Sequence, residues 1–209
     1  MKAQTKANPA NLVVRPDKKI KWEHREEVEA IRKDLEELGY RPLAMVKVRD
    51  LLWVNAQAFA NTKLRAYALV YEEAQSVWVD VFATGGSKTA RKVFSVTSAD
   101  APMIGIVAER PTYFISHQLP KVPVPLLHAE FLRLRPAEEW STVSLAGLVP
   151  AYDLVCHANR LWQETTFKKS SGDGTLERII TSAHDRAQAL RSRDPVQELR
   201  FLLRRRHLP

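Results

Sequence analysis

Cysteine is almost absent from this chain: Cys156 stands alone among 209 residues. A lone thiol cannot close an internal disulfide, and it excludes zinc or iron–sulfur sites built from several cysteines of one chain. A reducing, cytoplasmic compartment is the expectation that follows. Long hydrophobic runs are missing too. The most apolar stretch, VSLAGLVPAYDLVCHANRLW, carries Pro150, Asp153, His157 and Arg160. A membrane-spanning helix does not tolerate that mixture. Near the N-terminus the one apolar run is Leu12-Val13-Val14, far short of the core of a secretory signal, so no export signal is expected. Internal repeats and low-complexity tracts are also lacking.

The familiar catalytic signatures are missing as well. No G-x-S-x-G elbow occurs, and the six histidines never fall at zinc-ligand spacing near a third ligand. His128-Ala129-Glu130 matches the first half of a zinc-deaminase signature, but its P-C-x-x-C half is not there. Cys156-His157 suggests a thiol dyad. On a helix, however, adjacent residues diverge by about 100°, so these two cannot serve one another. Asp153, His157, Arg160 and Glu164 follow at 3–4 spacing and read as a solvated charge ladder. No catalytic residue, metal or cofactor is nominated. Catalysis is left unsupported.

What is present begins with charge. The net charge of +8 is unevenly spread. Residues 1–25 hold seven Lys/Arg against two acids, and residues 186–209 repeat that ratio. The 160 residues between them carry eighteen basic and twenty acidic side chains. A near-neutral middle therefore lies between two cationic ends, the pattern of a chain that meets an acidic protein surface, nucleic acid or acidic lipid.

The organisation reads as α+β. Residues 1–20 are expected to be a mobile basic arm, 21–169 the core, 170–174 a linker and 175–209 a helical extension with a basic tail. A helix with the stripe Val28, Ile31, Leu35 and Leu38 comes first, ended by Gly39. AMVKV, WVNAQAFA, LRAYALVY, VWVDVFA and KVFSVTS then alternate like strands, with EEAQS as a five-residue hairpin connection. They predict an antiparallel meander of four or five strands, covered by helices on one face. PTYFISHQL is a candidate edge strand after a proline-rich stretch, and LLHAEFLRL a short helix. Pro150 is expected to open a further helix with Ala151, Leu154, Val155, Ala158, Leu161 and Trp162 on one face.

Two places carry functional candidates. The first is the stretch VWVDVFATGGSKT. Its Gly-Gly-Ser-Lys-Thr tip has the wrong spacing for a phosphate-binding loop and is followed by a strand pattern, so Gly85-Gly86 reads as a hairpin turn. Within the strand, Trp78, Asp80 and Phe82 share one face, a candidate ligand surface set against the plainer reading of an outward-facing sheet. The second is the tail RSRDPVQELRFLLRRRHLP, opened by the helix-start signal Asp194-Pro195-Val196-Gln197. There Arg200, Arg204, Arg205 and Arg206 surround an apolar side of Val196, Leu199, Leu202 and Leu203. Together with Lys18, Lys19 and Lys21 they are the candidate partner-binding residues. An acidic protein surface ranks first as the partner, then nucleic acid held without base specificity, with a membrane surface last. The function expected is that of a non-catalytic binding or adaptor protein, a subunit of a larger assembly. An enzyme or small-ligand binder using the Trp78/Asp80/Phe82 face is the alternative.

Overall fold

In a computed structural model of the chain, residues 12–15, 21–48, 54–73, 76–86, 91–99 and 114–169 are described, the side chains of Phe114 and of 159–169 excepted. Among them one seven-stranded sheet runs in chain order, β1 (Leu12–Arg15), β2 (Arg41–Val48), β3 (Val54–Asn61), β4 (Ala66–Glu73), β5 (Ser76–Gly86), β6 (Arg91–Thr97) and β7 (Phe114–Gln118). Three helices accompany it: α1 (Arg25–Glu37), α2 (Val124–Leu134) and α3 (Leu145–Lys169). The class is α+β and the sheet mostly antiparallel.

Alternation of side chains along each strand divides the core in two. Phe59, Val70, Val79, Val81, Ala83, Phe94 and Val96 point one way and pack with Val28 and Leu35 of α1 and with Leu127 and Phe131 of α2. Their neighbours Tyr67, Leu69, Tyr71 and Phe82 point the other way, onto Leu148, Ala151 and Tyr152 of α3. Both faces are thus covered, a correction to the expectation of helices on one face only. A sheet whose strands are apolar on both sides needs a cover on each, and α3 supplies the second.

Three further differences concern the sheet itself. Seven strands replace the expected four or five because the two edges were not counted. Leu12–Arg15 lies inside the segment read as an arm, yet it pairs with β2, Leu12 opposite Val48, and Leu12 is buried. At the other edge PTYFISHQL does supply a strand, but β7 runs parallel to β6, with Val96 opposite His117. The β4–β5 hairpin is also tighter than expected, since Glu73 already pairs with Ser76.

The helix ends show local chemistry at work. After α1, Gly39 has φ 87°, Tyr40 N donates to Leu35 O at 2.9 Å and Gly39 N to Glu36 O at 3.0 Å. That is the double hydrogen bond of a glycine-terminated helix. Its other end is held from the sheet, for Glu72 on β4 accepts from the backbone N–H of Glu23 at 3.0 Å and of His24 at 2.6 Å. Helix α3 begins five residues before Pro150, which lies inside it rather than opening it. The true start is marked by Ser144, whose Oγ accepts from Gly147 N at 3.1 Å. The linker at 170–174 and the extension from 175 lie outside the described residues.

Candidate functional site

Strand β5 decides where the candidate site lies. Its register sets Trp78 opposite Tyr71, Asp80 opposite Leu69 and Phe82 opposite Tyr67, all on the face that α3 covers. On its other side Asp80 faces Thr97 of β6. Trp78, Asp80 and Phe82 therefore share one face, and that face is not an open sheet surface. Tyr71 and Trp78 stack with ring centroids 5.0 Å apart and planes 11° apart. Phe82 stacks on Tyr67 at 5.4 Å and meets the edge of Tyr152 at 6.2 Å.

The aromatic floor surrounds a titratable group. Burial raises the Asp80 carboxyl from its ordinary 3.8 to about 6, and the hydroxyls of Thr97 and Tyr71 draw it only part of the way back. Burial likewise pushes the Tyr71 hydroxyl well above its usual value, with Asp80 and then Tyr152 adding to the effect. Tyr152 is raised by burial first and by Cys156 next. Tyr71 Oη is closed to solvent and packs against Asp80, Tyr152 and Cys156, near enough to Asp80 and Tyr152 for hydrogen bonding to shape how they titrate. Among the described residues, Thr97 from β6 and Tyr152 and Cys156 from α3 thus gather around the pair formed by Asp80 and Tyr71.

Sequence reasoning named Asp80 and its two flanking aromatics but none of these partners. The hairpin register could have supplied Tyr71, because LRAYALVY and VWVDVFA alternate in phase. Tyr152 and Cys156 were missed because the stripe on α3 is turned by about one residue. Leu148, Ala151, Tyr152, Val155 and Cys156 face this core, whereas Leu154 and Ala158 pack with Val93. Cys156 sits beside the cluster, half-buried, and His157 on the next position is exposed. They form no dyad.

The other candidates resolve into structure. His128 and Glu130 are both buried on α2. His128 Nδ1 lies 3.4 Å from Tyr40 Oη, and Glu130 accepts twice from Arg133, at 3.0 and 2.7 Å. Among the described residues no group of three His, Cys, Asp or Glu could hold a metal ion. Gly85 and Gly86 have separate duties: Gly86 has φ 85°, while Gly85 admits the backbone of Glu139 and Trp140, which bridges to it. Lys21 is exposed just before α1. Lys18, Lys19, Arg200, Arg204, Arg205 and Arg206 lie outside the described residues.

Comparison with protein-family models, with curated proteins and with solved structures finds no match to this chain. Among the described residues no helix is long and apolar enough to cross a membrane.

Proposed function

We propose that this chain is a non-catalytic binding protein, a subunit of a larger assembly in the cytoplasm, which engages an acidic partner through its cationic ends. The observation that carries this reading is the partition of charge. Residues 1–25 and 186–209 each hold seven basic against two acidic side chains, around a middle that is slightly acidic. Clustered like charge of this kind disfavours self-packing and favours an oppositely charged surface. The architecture is consistent with it, since the described sheet covers both faces with its own helices and so needs no partner to close its core.

Because β1 belongs to the sheet, the test removes residues 1–11 and 192–209 and replaces Lys18, Lys19 and Lys21 by Ser, which leaves every described strand in place. The doubly truncated chain is expected to keep its circular dichroism and melting temperature while losing the partners that co-purify with the full chain from its native host. Nuclease treatment separates the partner classes: an acidic protein survives it, and nucleic acid does not. Undiminished association after both truncations and the three substitutions overturns the reading.

A second reading is favoured by one specific observation. Asp80, expected to need a converging polar group if it served a ligand, has Tyr71, Thr97 and Tyr152 gathered around it between the sheet and α3. A small-ligand site on the Trp78/Asp80/Phe82 face is therefore the alternative.

A further inference from the structure

Helices α1 and α2 do not reach across the whole of their side of the sheet. The apolar cluster beneath them takes Phe59 from β3 and nothing from β1 or β2. On the opposite side Leu12 and Val14 of β1 and Val46 and Val48 of β2 pack in the cluster with α3. Alternation then turns Val13, Arg15, Met45 and Lys47 to the side that α1 leaves open, and all four are half-buried. Register arranges them as a checkerboard, with Val13 beside Lys47 and Arg15 beside Met45. The next strand sets Asn55 beside Lys47 and Gln57 beside Met45. Glu72, beyond Asn55, is engaged with the first N–H groups of α1. Among the described residues neither Arg15 nor Lys47 makes an ion pair. Lys18, Lys19 and Lys21 follow Arg15 closely in the chain. β1 is also the edge of the sheet, and among the described residues it pairs with β2 alone. Alternate residues of an edge strand turn N–H and C=O outward and can template another strand.

Three features thus meet at one corner: cations without carboxylate partners, half-buried apolar side chains and an open peptide edge. A second copy of β1 would bring cation against cation. A nucleic acid would use the charge and leave the peptide edge and Val13 and Met45 idle. An extended acidic peptide uses all three. We infer that the outer edge of β1 binds an extended acidic peptide segment of a partner protein as an added strand. On the α1 side its alternate residues set an acid beside Arg15, towards Lys47, and an apolar group beside Val13, towards Met45. Main-chain hydrogen bonds hold the segment, and the alternate side chains select it. This rests on the reading of the cationic ends as partner-binding, and gives the N-terminal one a place on the fold and its partner a conformation.

The experiment titrates a fluorescent peptide with the full chain at low salt and follows its anisotropy. In the peptide glutamate and valine alternate on one face and threonine fills the other. Saturable binding is expected, and its absence overturns the inference. Arg15→Glu together with Lys47→Glu weakens binding about tenfold or more and leaves circular dichroism unchanged. Should that pair fail to fold, Arg15→Gln with Lys47→Gln is expected to weaken it about threefold to tenfold. Peptides N-methylated on one or the other set of alternate residues keep their charge, and one of the two forms should bind about tenfold more weakly as its ladder bonds are lost. Equal binding by both overturns strand addition. Displacement of the peptide by an oligothymidylate of equal charge, at a lower concentration than unlabelled peptide needs, overturns the choice of partner. A full chain with Lys18, Lys19, Lys21, Arg200, Arg204, Arg205 and Arg206 replaced by Ser separates the two ways of failing. If that chain loses the peptide while the Arg15 and Lys47 variants keep it, the site on β1 falls and the reading of the cationic ends stands. If neither loses it, both fall.

Discussion

The two faces of one sheet, built from alternate residues of the same strands, have been put to different uses. Beneath α1 and α2 the strands present Phe59, Val70, Val79, Val81, Phe94 and Val96, and several polar side chains at the margin make hydrogen bonds. Asn61 donates to Leu38 O at 3.1 Å and accepts from Leu64 N at 3.0 Å, and Glu130 holds Arg133. Arg135, lying over the rings of Phe131 and Trp140 with centroids 5.2 and 4.8 Å away, donates to the carbonyl of Leu64. Beneath α3 a carboxyl shifted to about 6 shares its surroundings with the buried hydroxyls of Tyr71 and Tyr152. On the first face the inward strand positions named here are all apolar, and on the second one of them is a carboxyl. Neighbouring positions on β5, Val81 and Asp80, belong to opposite sides of that division.

Exchanging the character of those two positions gives the largest effect. Val81→Asp places a charge among Val70, Val79 and Val96 with no partner, and is expected to cost at least about 4 kcal/mol. The measurement is urea denaturation. A cooperative transition at the parent midpoint would show that the first face is not the dry one. Next in size is Gly85→Ala on the same side of β5. A Cβ there would lie 2.7 Å from the carbonyl oxygen of Glu139 and 3.2 Å from the Trp140 ring. Overpacking against backbone should cost about 1–3 kcal/mol, read from the same denaturation curves.

The third prediction concerns pH and the α3 face. A carboxyl whose folded pKa is raised above its unfolded value binds its proton more tightly when folded. Stability from Asp80 is therefore fully present below about 4 and is lost as pH rises towards about 6. Asp34, also raised by burial and then by Glu37, adds in the same direction. The difference in stability between Asp80→Asn and the parent should grow in favour of the variant by about 1–2 kcal/mol between pH 4 and pH 7, after allowance for the partial exposure of this residue. Thermal melts across that range decide it. A difference independent of pH would mean that Asp80 titrates like an exposed aspartate, and the contrast between the faces would lose its chemical half.

Much of this was legible before any coordinates. The stripe Val28, Ile31, Leu35 and Leu38 and its closing Gly39 have strong periods and a cap with a mechanism, and every one of them sits as expected. The inner strands were readable for the same reason. β1 was not, because a strand of four residues just ahead of Pro16 is too short to show alternation; pairing with β2, not local preference, makes it a strand. The start of α3 was misplaced because Pro150 imitates a first-turn proline, while the weaker cue of Ser144 ahead of Leu145 went unused. Asp80 could be assigned to a face with Trp78 and Phe82 by counting in twos. Of its neighbours only Tyr71 was within reach of the hairpin register; Thr97, Tyr152 and Cys156 come from β6 and α3, and only sheet order and helix rotation bring them in.

The parallel pairing of β7 has a consequence for how the molecule is assembled. From β2 to β6 each strand lies beside its predecessor in the chain, so the ladder can zip up through short connections, each with little loop-closure entropy. The two flanking strands differ. β1 reaches β2 only across the whole of α1, from Arg15 to Arg41, and β7 reaches β6 across the chain from Thr97 to Phe114, reversing direction on the way. These are the pairings of greatest sequence separation in the sheet, and contacts of that kind are the slow ones in folding. The clustered residues Tyr71, Trp78, Asp80 and Phe82 all lie on the central hairpin of β4 and β5. Their mutual register is set by the most local contacts in the sheet, and what waits on distant parts of the chain is the lid that α3 places over them.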